Sequence, residues 1–154
     1  MPAQTHRIDP RGARFSAAVT AALLATSLAL GPGSTAALVL LAVQTVAFII
    51  GTLIGPGFQP WALAFAKLIR PRLSGPPLWE DARPPRFAQA VGLGFAILGL
   101  VGWVTGFTPL FFIAVGFALL AALLNAAFNF CLGCELYLLG VRLGRRPVHP
   151  EQGS

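Results

Sequence analysis

The chain has 154 residues, of which 56% are hydrophobic and only 10% charged, with a net charge of +6 and a mean hydropathy of +0.75. Soluble domains carry roughly a quarter charged residues, so this composition excludes an ordinary soluble enzyme and points to a bilayer as solvent. There are no aromatic-basic repeats or nucleic-acid motifs, so the positive balance is read as basic flanks that orient hydrophobic helices, with no nucleic acid partner.

Charge is confined to three short segments. No Asp, Glu, Lys or Arg occurs in the 52 residues from Phe15 to Ala66 or in the 48 from Phe87 to Cys134. Each block is about twice the roughly 20 residues that one crossing requires. The predicted fold is therefore all-α: an integral membrane bundle of four transmembrane helices arranged as two helical hairpins.

In chain order, residues 1–14, with His6, Arg7, Asp9, Pro10, Arg11 and Arg14, read as a polar tail at the membrane surface. The first span is expected over 15–30 and stops at Gly31-Pro32-Gly33-Ser34, where proline cannot donate to a helix and glycine supplies the turn. A basic start before an apolar core also fits a cleavable signal segment. The next segment is equally hydrophobic, however, and Gly-Pro-Gly-Ser suits a hairpin. The second span covers 35–54 and stops at Gly55-Pro56-Gly57; the third covers 87–105 and the fourth 109–130. The fourth helix has the option of continuing to Val141, because Cys131-Leu132-Gly133-Cys134 contains no proline.

Between the hairpins, the proline-rich segment 55–86 reads in two parts. Residues 60–70 form either an ordinary loop or a short interfacial helix, with Trp61, Phe65 and Leu68 turned to lipid and Lys67 and Arg70 to phosphate. Beyond them, Pro71-Arg72, Pro76-Pro77, Glu80-Asp81 and Pro84-Pro85-Arg86 read as a stiff connection. Residues 144–154 form a second tail. The eleven Lys and Arg divide as three in the N-terminal tail, five in the central segment and three after the last span, with none in the two tight turns. An even crossing number then puts both tails and the central segment on one side, which the positive-inside rule makes the cytoplasm.

Small residues recur every fourth position: Ala47, Gly51 and Gly55 on the second helix, and Ala88, Gly92 and Ala96 on the third, followed by Gly99 and Gly102. Such stripes let helix backbones approach closely, either inside the bundle or at a homo-oligomer face. Asn125 and Asn129 are expected to tie neighbouring helices, with Gln44 and Gln89 as candidate partners. No ionisable residue lies inside a predicted span, which argues against a proton-coupled pump.

The residues that can carry chemistry are Cys131 and Cys134, a Cys-x-x-Cys pair at the end of the fourth span. One helical turn apart, they are within reach of each other for a disulfide, or for a shared metal. In a reducing compartment such a pair rests as a dithiol with redox or sulfur-transfer duty. A zinc site would want four ligands, and the only histidines are His6 and His149 in the tails, so neither metal nor cofactor is expected. The plain alternative is two small residues packed at a helix end. Glu135 is either a proton acceptor for a thiol or a solvated residue at the membrane boundary.

The run Asn129-Phe130-Cys131-Leu132-Gly133-Cys134-Glu135-Leu136-Tyr137 resembles the end of a small bacterial membrane family, catalogued as domain of unknown function 4395. So do Ile8-Asp9-Pro10-Arg11-Gly12-Ala13-Arg14, Pro71-Arg72-Leu73 and Pro84-Pro85-Arg86-Phe87-Ala88-Gln89. The resemblance spans about residues 8–143. It implies a multi-pass protein of the bacterial cytoplasmic membrane, often encoded near thioredoxin-like and sulfurtransferase proteins. It carries over Cys131, Gly133 and Cys134 as candidate active groups, with Glu135 second. The functional expectation is a membrane-embedded dithiol that exchanges electrons or sulfane sulfur with a soluble thioredoxin-like or sulfurtransferase partner. The alternative is a non-enzymatic membrane scaffold or anchoring subunit.

Overall fold

Ser27 of the first helix donates from its hydroxyl to the Ala37 carbonyl of the second at 3.0 Å, a buried polar tie that closes the first hairpin. The computed structural model describes residues 7–73, 80–81, 83–128 and 130–144. Helix α1 (Pro10–Leu30) and helix α2 (Thr35–Leu53) form that hairpin. Gly31 ends α1 at φ 78°, a left-handed conformation that glycine adopts without steric cost. A short helix α3 (Pro60–Ala64) continues as a π-helical turn over Phe65–Ile69. Helix α4 (Arg83–Thr105) and helix α5 (Thr108–Phe128) make the second hairpin, and helix α6 (Leu132–Gly144) follows.

The four long helices close into a ring in which α1 packs on α2 and α5, and α4 on α2 and α5. Leu24, Leu41, Phe48, Ala96, Phe111, Val115 and Ala118 form the core. Ala47, Gly51, Ala96, Gly99 and Gly102 are buried, so the small-residue stripes serve the interior of the bundle. A Cβ built on Gly99 would lie 2.7 Å from Val115 Cγ2, and one on Gly102 would lie 2.6 Å from the Phe111 backbone nitrogen. The indole nitrogen of Trp103 donates to the Ser34 carbonyl at 3.2 Å, which brings the far end of α4 to the turn of the first hairpin.

Polarity runs inside out relative to a soluble protein. Ser16, Thr20, Ser27, Gln44 and Thr45 are buried, while Val39, Val43, Val46, Ile97, Leu98, Val101, Phe112, Ile113 and Phe117 are exposed. Large exposed apolar surfaces of this kind mark contact with a membrane or with other protein. All four long helices have the length and composition to cross a membrane.

Several expectations need correction. Helix α1 begins at Pro10, five residues ahead of the charge-free run: Asp9 is its N-cap, accepting from the Arg11 amide at 3.0 Å, and Pro10 takes the first turn. Ahead of it, Arg7–Ile8 pairs as a strand (β1) antiparallel to Glu80–Asp81 (β2), in the register Arg7 to Asp81 and Ile8 to Glu80. Pro84-Pro85-Arg86 opens α4, where a helix tolerates residues lacking N–H groups. Phe65 does not face lipid but is 3% exposed, tilted against Phe15. Trp61 donates to Gln44 Oε1 at 3.1 Å, so Gln44 is engaged there and not by Asn125. Finally, the fourth long helix does not run through the cysteines. It ends at Phe128, the Phe130 amide reaches back to the Leu124 carbonyl at 3.2 Å, and α6 starts afresh. Asn129, the histidines, Pro76-Pro77 and the tail from Arg145 onward lie outside the described residues.

Candidate functional site

Among the described residues, the two cysteines and the ionic side chains packed beside them gather at the end of the bundle opposite the two hairpin turns. Arg14 of α1 donates to the Ala126 carbonyl at 3.1 Å, so the start of α1 stands beside the end of α5. Arg86 of α4 donates to the Thr52 and Leu53 carbonyls at 2.6 and 2.9 Å, placing the start of α4 beside the end of α2. Both guanidiniums satisfy C-terminal carbonyls that the helices leave unpaired.

At this end Cys131 and Cys134 are joined as a disulfide, with Cα atoms 5.1 Å apart. Cys131 occupies the residue preceding α6. Its carbonyl accepts from the Glu135 amide at 3.0 Å, and its sulfur accepts from the Cys134 amide at 3.2 Å. Cys131 is therefore the N-cap of α6, a position where backbone N–H groups and the helix dipole stabilise negative charge. Both cysteines are half-buried, and Glu135 is exposed on the first turn of α6. Helix α6 is held against α4 by direct backbone approach at Gly133 and by the Tyr137 ring, 5.7 Å from that of Phe87.

The disulfide borders a cavity of about 560 Å³ between α1, α2, α4, α5, the segment 56–70 and the start of α6; Cys131 and Gly133 are on its wall. Most of the lining is Ala, Gly, Phe, Leu and Val. The polar exceptions include Ser16 and Gln59, each 3% exposed. Ser16 Oγ, Gln59 Oε1 and Gln89 Oε1 are buried without a hydrogen-bond partner. Asn125 also lines the cavity.

One part of the wall is ionic. The Asp9 carboxylate, 1% exposed, meets Arg11 Nη2 at 3.0 Å and Arg70 Nε at 3.3 Å. Burial pushes the Asp9 carboxyl up, but the Arg11 hydrogen bonds and the charges of Arg11 and Arg70 outweigh it and hold the group below its usual range. Arg70 is thus tied to the N-terminal cap, not turned toward lipid phosphate. Among the described residues, no three His, Cys, Asp or Glu side chains come together to hold a metal.

The sequence reading named Cys131, Cys134 and Glu135; the structure joins the two sulfurs and leaves Glu135 exposed beside them. It missed Ser16, Gln59 and the Asp9–Arg70 pair. The available signal was the polar series Ser16, Thr20 and Ser27 on α1, whose spacings of four and seven residues share one helix face.

The class these features define is an all-α bundle of four long apolar helices with a helix-initiating Cys-x-x-Cys beside an internal cavity. A family model, Domain of unknown function (DUF4395), matches residues 8–142, and the chain belongs to that family. No curated protein and no solved structure matches it.

Proposed function

We propose that this chain is a multi-pass protein of the bacterial cytoplasmic membrane, with both termini cytoplasmic, whose Cys131–Cys134 pair exchanges electrons with a soluble thioredoxin-like partner. The observation that carries the reading is the disulfide at the N-cap of α6. In the exchange, a partner thiolate attacks Cys134 Sγ, the S–S bond breaks, and its electron pair leaves on Cys131 Sγ. The Cys134 amide and the α6 N-terminus receive that charge, which makes Cys131 the better leaving sulfur. A second partner thiolate then attacks the partner's own sulfur in the mixed disulfide, freeing Cys134 and carrying off the new disulfide. Exposed Glu135 is a candidate proton acceptor for the thiols. Relay of sulfane sulfur needs only one of the two sulfurs. Their bonding to each other favours the dithiol reaction.

The test is thiol accounting in intact cells. After reduction, a membrane-permeant maleimide should label both cysteines and an impermeant one neither. Cys131→Ser and Cys134→Ser should each abolish the stoichiometric oxidation of a thioredoxin-like dithiol by the purified disulfide form. Labelling by the impermeant reagent would reverse the orientation, and undiminished dithiol oxidation by the double variant would end the redox reading.

A further inference from the structure

We infer that the cavity beside Cys131 is a binding site for a lipid-soluble quinone, which takes the electrons that the cysteine pair receives. The proposal rests on the exchange reading above and supplies its second substrate. A dithiol gives up two electrons and two protons on forming a disulfide, and a quinone takes up both in becoming a quinol. The cavity volume of about 560 Å³ falls within the range of small-molecule sites, roughly 300–1,000 Å³, and its walls are mostly apolar. An uncharged ring with an isoprenoid tail can enter such a space from lipid at little desolvation cost.

The polar groups fit the same ligand. Ser16 and Gln59 are each 3% exposed, line the cavity, and carry side-chain oxygens with no partner inside the protein. Buried polar atoms are rarely left so without a ligand or water to meet them. The Ser16 hydroxyl supplies a donor for a ring carbonyl, and the unpartnered side-chain oxygens of Gln59 and Gln89 supply acceptors for the hydroxyls of the quinol. A phosphate-bearing redox nucleotide fits less well, because the guanidinium of Arg70 on the cavity wall is already paired with Asp9.

Of the two cysteines, Cys131 is the one that lines the cavity. In the reduced pair, the Cys131 thiolate bonds to a quinone ring carbon. The Cys134 thiolate then attacks Cys131 Sγ, the C–S bond breaks, and its electron pair passes to the ring. The disulfide forms again, and the two protons from the thiols end on the quinone oxygens. Two thiols and one quinone become one disulfide and one quinol.

The experiment uses the full chain in lipid nanodiscs. The disulfide is opened with a soluble dithiol, excess reductant is removed anaerobically, and a short-chain ubiquinone or menaquinone is added. Quinone absorbance and the number of alkylatable thiols are followed together. One quinone should be reduced per chain, with both thiols lost, at a rate that saturates with quinone. Ser16→Ala combined with Gln59→Leu should raise the half-saturating concentration about tenfold or more, as loss of one or two hydrogen bonds implies. If the disulfide opens normally but the thiols survive the quinone, the quinone site is wrong and the exchange reading stands. The quinone site is equally wrong if thiol loss never saturates, as it would were the cavity filled by a lipid acyl chain. A disulfide that no dithiol opens overturns the exchange reading itself.

Discussion

Gly133 of α6 lies directly on Ala88 of α4: a Cβ added at Gly133 would stand 2.6 Å from Ala88 Cβ and 2.7 Å from its Cα. The cysteine turn is thereby seated against the bundle rather than carried on a free helix. Gly133→Ala must push α6 away from α4, at a cost of about 1–3 kcal/mol for an overpacked contact. Alkylation of reduced Cys131 should become several-fold faster. Gly140→Ala, with nothing within 4 Å of the new methyl, should leave that rate unchanged.

The turn between α4 and α5 depends on an equally close approach. A methyl at Gly102 would meet backbone, the Phe111 nitrogen at 2.6 Å and Cα at 3.0 Å, and backbone cannot swing aside as a side chain can. Gly102→Ala should lower the unfolding midpoint of the purified protein by an amount corresponding to about 1–3 kcal/mol. Gly116→Ala, facing open space on α5, should not lower it. Thermal unfolding in detergent followed by circular dichroism checks both.

Trp61 and Gln44 form a single hydrogen bond that holds α3 to the bundle interior. Gln44 is fully buried, and its Nε2 already lacks a partner. Trp61→Phe keeps most of the ring packing but leaves Gln44 Oε1 unpaired as well, with an expected cost of about 1–3 kcal/mol. Trp61→Phe combined with Gln44→Leu should recover part of that loss, since the stranded amide is gone. The comparison of the two unfolding midpoints decides it.

The Asp9 cluster makes stability depend on pH in a defined direction. Because the folded carboxyl is held below its unfolded value, its contribution is fully present above the ordinary carboxylate range and is lost as pH falls through the depressed folded value. Unfolding midpoints measured from about pH 6 down to about pH 3 should fall for the native chain and fall less for Asp9→Asn. Asp9→Asn should also be less stable at neutral pH, because the carboxylate's ion pairs with Arg11 and Arg70 are lost. Equal pH slopes in the two proteins would count against the cluster.

The helical core of the fold was legible because lipid-exposed helices need long charge-free runs, and two such runs stand out from the rest of the chain. Their ends were harder. The start of α1 was set too late, although Asp9-Pro10 is a readable cap followed by a residue suited to a first turn. The charge of Arg11 and Arg14 masked it. The break before α6 had no strong local signal, neither proline nor a run of turn formers, and the close seat of Gly133 on Ala88 beyond it joins residues 45 apart in sequence. The cysteine pair was visible as a motif. Its place at an N-cap and beside a cavity was not, since both depend on where the chain turns. Phe65 was misplaced for a related reason: amphipathic patterning distinguishes an apolar face but not whether lipid or a neighbouring helix covers it.

The contacts of Arg86 with Thr52 and Leu53 bear on how insertion direction is studied in this family. Its positive charge is a vote for which face of the membrane the central segment stays on, and its guanidinium is also a clasp joining the two hairpins. Charge-swap variants made to invert the protein would therefore unfasten it at the same stroke. Lysine, retaining the vote without the forked grip, separates the two roles.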